Sequence, residues 1–186
     1  MDADDEIDHI TSNCAQCASL ATLPREIVDF STSDAVSRLG ASFACDIMCR
    51  ARQKIFITRE TFSSYTQARL VPDEKTETLM HAIIETTADL KSAQGATIRV
   101  DCAPAFQALA RNQTLTRHGI TLDIGRTKNV NKNPVGEKAV QELEVELRKL
   151  HPTGTAISSS DLSIAVAMLN SRIRERGLCE IGRAHV

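Results

Sequence analysis

Between Ala41 and Val71 the sequence passes through three apolar, β-rich runs whose separations are too short for a crossover connection. The runs are Ala41–Cys49, Gln53–Thr58 and Tyr65–Val71, rich in β-branched and aromatic residues. Parallel neighbours need a connection of roughly a dozen residues or more, usually a helix, whereas antiparallel neighbours need only a hairpin. The three runs therefore predict an antiparallel meander.

After Val71 the pattern changes to alternation. Thr76–Lys91 reads as a helix with Leu79, Ile83, Thr87 and Leu90 on one face, and Gly95 lies beyond its end. Thr97–Val100 is a short strand, Pro104–Arg111 a brief helix anchored by Phe106 and Leu109, and Ile120–Ile124 a fifth strand. A polar loop, Gly125–Asn133, leads into a helix opening at Pro134, since Asn133 is a favoured N-cap and proline suits the first helical turn. Its inner face is Ala139, Leu143, Leu147 and Leu150. A last helix follows the Ser158-Ser159-Ser160 cluster and is expected to run to about Arg176, with Leu162, Ala165, Met168 and Leu169 inward. Strands alternating with helices after a meander predict an α/β fold: a five-stranded mixed sheet flanked by helices on both faces. That order resembles the RNase H-like arrangement.

At 186 residues and 42% hydrophobic, the chain suffices for one full-sized core plus short flanks. A net charge of -2 generates no strong global field, so any affinity for nucleic acid must come from local basic patches. No apolar run approaches the roughly 20 residues of a membrane span. The acidic start Met1-Asp2-Ala3-Asp4-Asp5 does not look like a signal peptide. The expectation is a soluble, intracellular protein. Cys45, Cys49 and Cys102 sit in apolar strand-like runs and read as small core residues rather than disulfide partners.

Three carboxylates stand in informative places. Asp46 interrupts the apolar run Phe43-Ala44-Cys45-Asp46-Ile47-Met48, Asp101 ends Ile98-Arg99-Val100-Asp101, and Glu137 lies in the first turn after Pro134. Taken singly, an Asp at a strand end is commonly a turn residue, and a Glu in a first helical turn is favoured by the helix dipole. A charge inside a central strand is costly unless paired, and a divalent cation is the simplest partner for several converging carboxylates.

These residues resemble a known family. Asp101 and Glu137 have 35 residues between them, the spacing of the D,D(35)E motif of retroviral and retrotransposon integrases, and Asp46 lies upstream on the first strand as that family's first aspartate does. Thr61-Phe62-Ser63-Ser64-Tyr65 is similar to the family's second-to-third strand region, and Asn131-Lys132-Asn133-Pro134 followed by Glu137 to its loop and catalytic helix. The similarity extends from about Ala41 to Arg176 and looks closest to gypsy-type LTR retrotransposon polyproteins. It implies that Asp46, Asp101 and Glu137 bind two Mg²⁺ or Mn²⁺ ions for 3′-end processing and strand transfer of the element's DNA. It further implies homo-oligomers that join two DNA ends, and work in the nucleus. Arg126, Lys128, Lys132 and Lys138 crowd around the loop and helix as candidate phosphate contacts, against the alternative of an ordinary solvated face. Where retroviral relatives carry lysines further along this helix, the present chain has Gln141 and Glu144.

The domain reading follows. Residues 1–22, with His9 and the Cys14/Cys17 CxxC, are expected to be the truncated C-terminal end of an HHCC zinc-binding module, with too few ligands here for a closed four-ligand site. A zinc ion is then expected only in a longer protein. A redox CxxC is the alternative, but no thioredoxin-like βαβ pattern surrounds it. Residues 23–40 read as a linker, 41–178 as the catalytic core, and 179–186 as translated adapter sequence. The functional alternatives are an inactive nucleic-acid-binding or interaction domain from a decayed or host-recruited element, and another RNase H-like nuclease.

Overall fold

The computed structural model describes residues 38–125 and 133–172. The linker reading of 23–40 therefore lies almost wholly outside the described residues, as do residues 1–22 and 179–186. Five strands, β1 (Ser42–Arg50), β2 (Gln53–Glu60), β3 (Thr66–Val71), β4 (Ala96–Val100) and β5 (Ile120–Ile124), form one sheet in the order β3-β2-β1-β4-β5. The meander pairs antiparallel, while β4 joins β1 and β5 joins β4 in parallel. This is the five-stranded mixed sheet the sequence predicts, because only the β3–β4 and β4–β5 connections are long enough to hold crossover helices.

Helices α1 (Thr76–Thr87), α2 (Pro104–Ala110), α3 (Gln113–Arg117), α4 (Pro134–Leu150) and α5 (Ser159–Asn170) complete the fold. Strand alternation sorts the core into two clusters. Phe43, Cys45, Phe56, Ile98 and Val100 face α1, α2 and α3, meeting Leu79, Ile83, Phe106, Leu109 and Leu115. Met48, Ile55 and Ile57 face the other way, onto Leu143 and Leu147 of α4 and Leu162, Ala165 and Leu169 of α5. A capping box at Ser158 and Asp161 starts α5.

Several expectations need correction. The first helix stops at Thr87 instead of Lys91, because the Thr87 carbonyl accepts both the Leu90 and Lys91 amides and Ser92 N–H turns away to Gly40 O. The short helix α3 was not anticipated; five residues hold no readable period, and its cap comes from Asn112 Oδ1, which accepts from Thr114 N at 2.8 Å. The last helix ends at Asn170 rather than near Arg176. Asn170 there accepts from Thr66 N and donates to Thr66 O, binding the helix end to the edge strand. Met168 is exposed, since the inward stripe runs through Leu162, Ala165 and Leu169. Cys49 is also exposed and Cys102 only partly buried, so of the three cysteines only Cys45 is a core residue. Burial on that face of β1 falls from Cys45 through Ile47 to Cys49, and Cys102 lies past the end of β4.

The β1–β2 hairpin closes with Ala51 and Arg52 at φ +46° and +67°. Two-residue hairpin turns of this kind favour Asn-Gly, because L-residues in the left-handed region carry a cost of about 1–2 kcal/mol each. Replacing Ala51-Arg52 by Asn-Gly is expected to raise stability by about 1–2 kcal/mol, read from urea unfolding midpoints; an unchanged midpoint would show that the turn is not strained.

Candidate active site

Asp46 lies on the α4 side of β1, between Cys45 facing α1 and Met48 facing α4. The β1–β4 ladder runs Ser42↔Thr97, Phe43↔Ile98, Ala44↔Arg99 and then stops. Continuing that register sets Asp46 beside Asp101, one residue past the end of β4, where the two parallel strands part. The openings at the carboxyl ends of parallel strands are where α/β sheets habitually place ligands. Glu137 comes from the opposite layer, in the first turn of α4.

The electrostatics bring the three together. Asp46 is half-buried, and its carboxyl is held above the ordinary carboxylate range chiefly by burial, opposed by the Ile47 N–H donating to Oδ1 at 2.7 Å. The negative charges of Asp101 and Glu137 push it up further. Both neighbouring charges named here are thus negative, so the site repels its own ionised form. Asp101 Oδ1 accepts from Ala103 N–H at 3.3 Å, which braces that carboxylate against the strand end. Glu137 is exposed at the helix start.

The donor set is all oxygen and suits a hard divalent cation. The carboxylates are nevertheless spread: among the described residues, no three His, Cys, Asp or Glu side chains are gathered tightly enough to enclose one ion. The charge coupling and this spacing point in different directions for a closed cage. They agree for an open site that leaves ligand positions to water and substrate, which is how Mg²⁺ is usually held.

Among the described residues, no helix covers the sheet beside the carboxylates on the α4 side. Helices α4 and α5 pack over β1, β2 and β3, while Thr97, Thr121 and Asp123 on β4 and β5 are exposed and Arg99 pairs with Asp123 at 3.4 Å. Further along β1 and α4, a groove of about 540 Å³ is lined by Met48, Cys49, Val140 and Glu144 among others. Glu144, which stands where lysines were looked for, is engaged by Arg50 at 2.8 Å and Arg148 at 2.9 Å. Its role in the fold is to tie α4 to the end of β1.

Of the basic residues singled out in the sequence, Lys138 is partly buried next to Glu137. Arg126, Lys128 and Lys132 lie outside the described residues, as do His9, Cys14 and Cys17. Sequence reasoning identified Asn133 as a cap but missed its second bond, from Nδ2 to Cys45 O at 2.7 Å. The available signal was Gly136, a glycine inside a helical turn with no turn to make.

Cys45, although adjacent to Asp46, is no nucleophile: burial raises its thiol pKa to about 12. Maleimide labelling of the native chain, mapped by peptide mass, is expected to modify Cys49 and spare Cys45; fast labelling of Cys45 would contradict its burial.

Comparison with known proteins adds the fold. No protein-family model and no curated protein matches the chain. Among solved structures it is similar to the catalytic core domain of BIV integrase, with a TM-score of 0.62 and 21% sequence identity, over 76% of this chain and 91% of that one. The architecture is thus the RNase H-like fold of an integrase catalytic core. No helix among the described residues is long and apolar enough to cross a membrane.

Proposed function

We propose that the chain carries the catalytic core of a metal-dependent DNA strand transferase, the integrase of a gypsy-type LTR retrotransposon, with Asp46, Asp101 and Glu137 as its metal-holding residues. What supports this reading is that Asp46 on β1 feels the negative charges of both Asp101, just past β4, and Glu137, at the start of α4, each raising its proton affinity. Repulsion among such carboxylates is relieved by a proton or by a bridging cation, and an open all-oxygen donor set suits the cation. Asp46, Asp101 and Glu137 would hold two Mg²⁺ or Mn²⁺ ions, which would supply Lewis acidity and positive charge for phosphoryl transfer.

The protein's own part is positioning. Asp46 is fixed by the strand and by the Ile47 amide, and Asp101 by the Ala103 amide. Glu137 approaches from the helix layer, and in this reading the DNA backbone lies along the exposed side of β4 and β5. Lys138, with Arg126, Lys128 and Lys132 of the preceding segment, supplies cations for phosphates. No covalent enzyme intermediate is needed, since alignment and electrostatics carry phosphoryl transfer. In this reading residues 41–178 are the core, 1–22 the end of a zinc module and 23–40 the link between them. Residues 179–186 are extraneous. The partners are element and target DNA and a second copy of the chain, and the work is nuclear.

A second reading, a binding domain from a decayed element that retains the fold without turnover, draws on the wide spacing of the carboxylates. The two separate in a disintegration assay, the reversal of strand transfer on a branched DNA oligonucleotide in Mn²⁺. The transferase reading expects resolved product from the native chain and none from Asp101→Asn or Glu137→Gln. A folded chain that binds the branched DNA but never resolves it would favour the second reading.

A further inference from the structure

Asn133 is 2% exposed and makes two hydrogen bonds in different directions. Its Oδ1 accepts from Gly136 N–H at 3.3 Å, the ordinary duty of an N-cap. Its Nδ2 donates to Cys45 O at 2.7 Å, on the residue before Asp46. That carbonyl lies just past Ala44↔Arg99, the last pair of the β1–β4 ladder. One side chain therefore joins the first turn of α4, which carries Glu137, to the stretch of β1 that carries Asp46. A serine or aspartate would cap the helix as well, but neither offers a side-chain amide to the strand.

Gly136 supplies an independent observation. Its backbone is not in the left-handed region, so no turn requires glycine there. A Cβ at this position would stand 2.4 Å from Asn133 Nδ2 and 2.8 Å from Cγ. The glycine leaves room for the Asn133 amide, although glycine in a helix is less favourable than alanine. Helix stability alone favours alanine at 136; only the Asn133 bridge favours glycine.

We infer that Asn133 and Gly136 form a latch that sets the position of Glu137 relative to Asp46, making both of them positioning residues for the carboxylate site. The inference rests on the metal-site reading above. The latch works by geometry: the helix start can neither slide along β1 nor tilt from it while the Cys45 carbonyl is held.

The test uses the full chain with Mn²⁺ alone as the probe, counting free ion by electron paramagnetic resonance and following melting in parallel. Gly136→Ala is expected to stay folded, melting somewhat below the native temperature because the helix gain offsets only part of the broken buried hydrogen bond, and to bind Mn²⁺ about 10–100-fold more weakly, the range typical of groups that support metal ligands. Asn133→Ser, which keeps a capping oxygen, is expected to show the same loss of affinity. In disintegration both should need correspondingly more Mn²⁺ for half-maximal rate and recover most of the rate at saturation. Native affinity in Gly136→Ala would overturn the latch, even if Asn133→Ser is weakened, because a mere cap explains that pair of results. Failure of the native chain to bind Mn²⁺ would overturn the metal-site reading itself, and the latch with it.

Discussion

Asp46→Asn is expected to melt at a higher temperature than the native chain when no divalent ion is present, while losing strand-transfer and disintegration activity. The Asp46 carboxyl titrates above its ordinary value because burial, Asp101 and Glu137 disfavour its charge. A raised carboxyl pKa contributes stability that is complete below the unfolded-state value and is lost as pH rises through the folded-state value. Above that raised value the native chain bears an ionised, half-buried Asp46 that Asn removes. The stability gap between the two proteins should shrink as pH falls through that raised value. Mn²⁺ should reverse the order. An ion at about 100 times its dissociation constant stabilises the native chain by about 2.7 kcal/mol, and in a domain of this size each kcal/mol moves Tm by roughly 2–4 °C. The variant should lack that response. Losing about 4 kcal/mol of transition-state stabilisation corresponds to a rate loss on the order of 10³-fold. Melting curves with and without Mn²⁺ check the first part and disintegration rates the second. An Asp46→Asn variant that melts below the native chain at neutral pH would show that Asp46 supports the fold instead.

Glu142→Ala should be among the most destabilising single changes away from the carboxylates. Arg59 of β2 is nearly wholly buried, its side chain 3% exposed, and donates to Glu142 at 2.6 Å and to Thr66 Oγ1 at 2.9 Å. This brace joins α4 to β2 and β3, and so helps seat the helix that bears Glu137. Removing the carboxylate breaks a largely buried ion pair by deleting one partner, a change that costs about 3–5 kcal/mol. That is a large part of the roughly 5–15 kcal/mol by which a domain is stable. The double variant Arg59→Met, Glu142→Leu is expected to recover most of the loss, since well-packed apolar side chains replace a buried pair at little cost. Urea unfolding of the three proteins decides it. A Glu142→Ala loss below about 1 kcal/mol would mean that the apolar contacts of Leu143 and Leu147 seat the helix alone.

The sheet and most helices were legible because they depend on local pattern. Gap lengths dictated the meander, Asn133-Pro134 marked the start of α4, and the apolar positions of α4 and α1 announced their inner faces. Departures came where one long-range contact decided an outcome. Asn170 ends α5 on Thr66, and Gly40 takes the Ser92 amide after α1, through partners 104 and 52 residues away in sequence. The candidate site was partly legible. An Asp inside an apolar strand stands out in any sequence, and the register of β1 with β4 then places Asp101 beside it. What could not be read was how the helix layer is held there. The bond from Asn133 to Cys45 spans 88 residues, and the engagement of Glu144 by Arg50 spans 94. Neither leaves a periodic trace.

Whether Asp46, Asp101 and Glu137 share one divalent-ion site is tested most directly by paramagnetic broadening. Substoichiometric Mn²⁺ is added to the ¹⁵N-labelled chain, and amide signals are followed by NMR. The account predicts that the signals of Ile47, Cys102 and Glu137 weaken together, ahead of those of β3 on the far edge of the sheet, and that Asp46→Asn abolishes the effect. Broadening that starts elsewhere, or that leaves any one of the three carboxylate neighbourhoods untouched, would contradict a shared site.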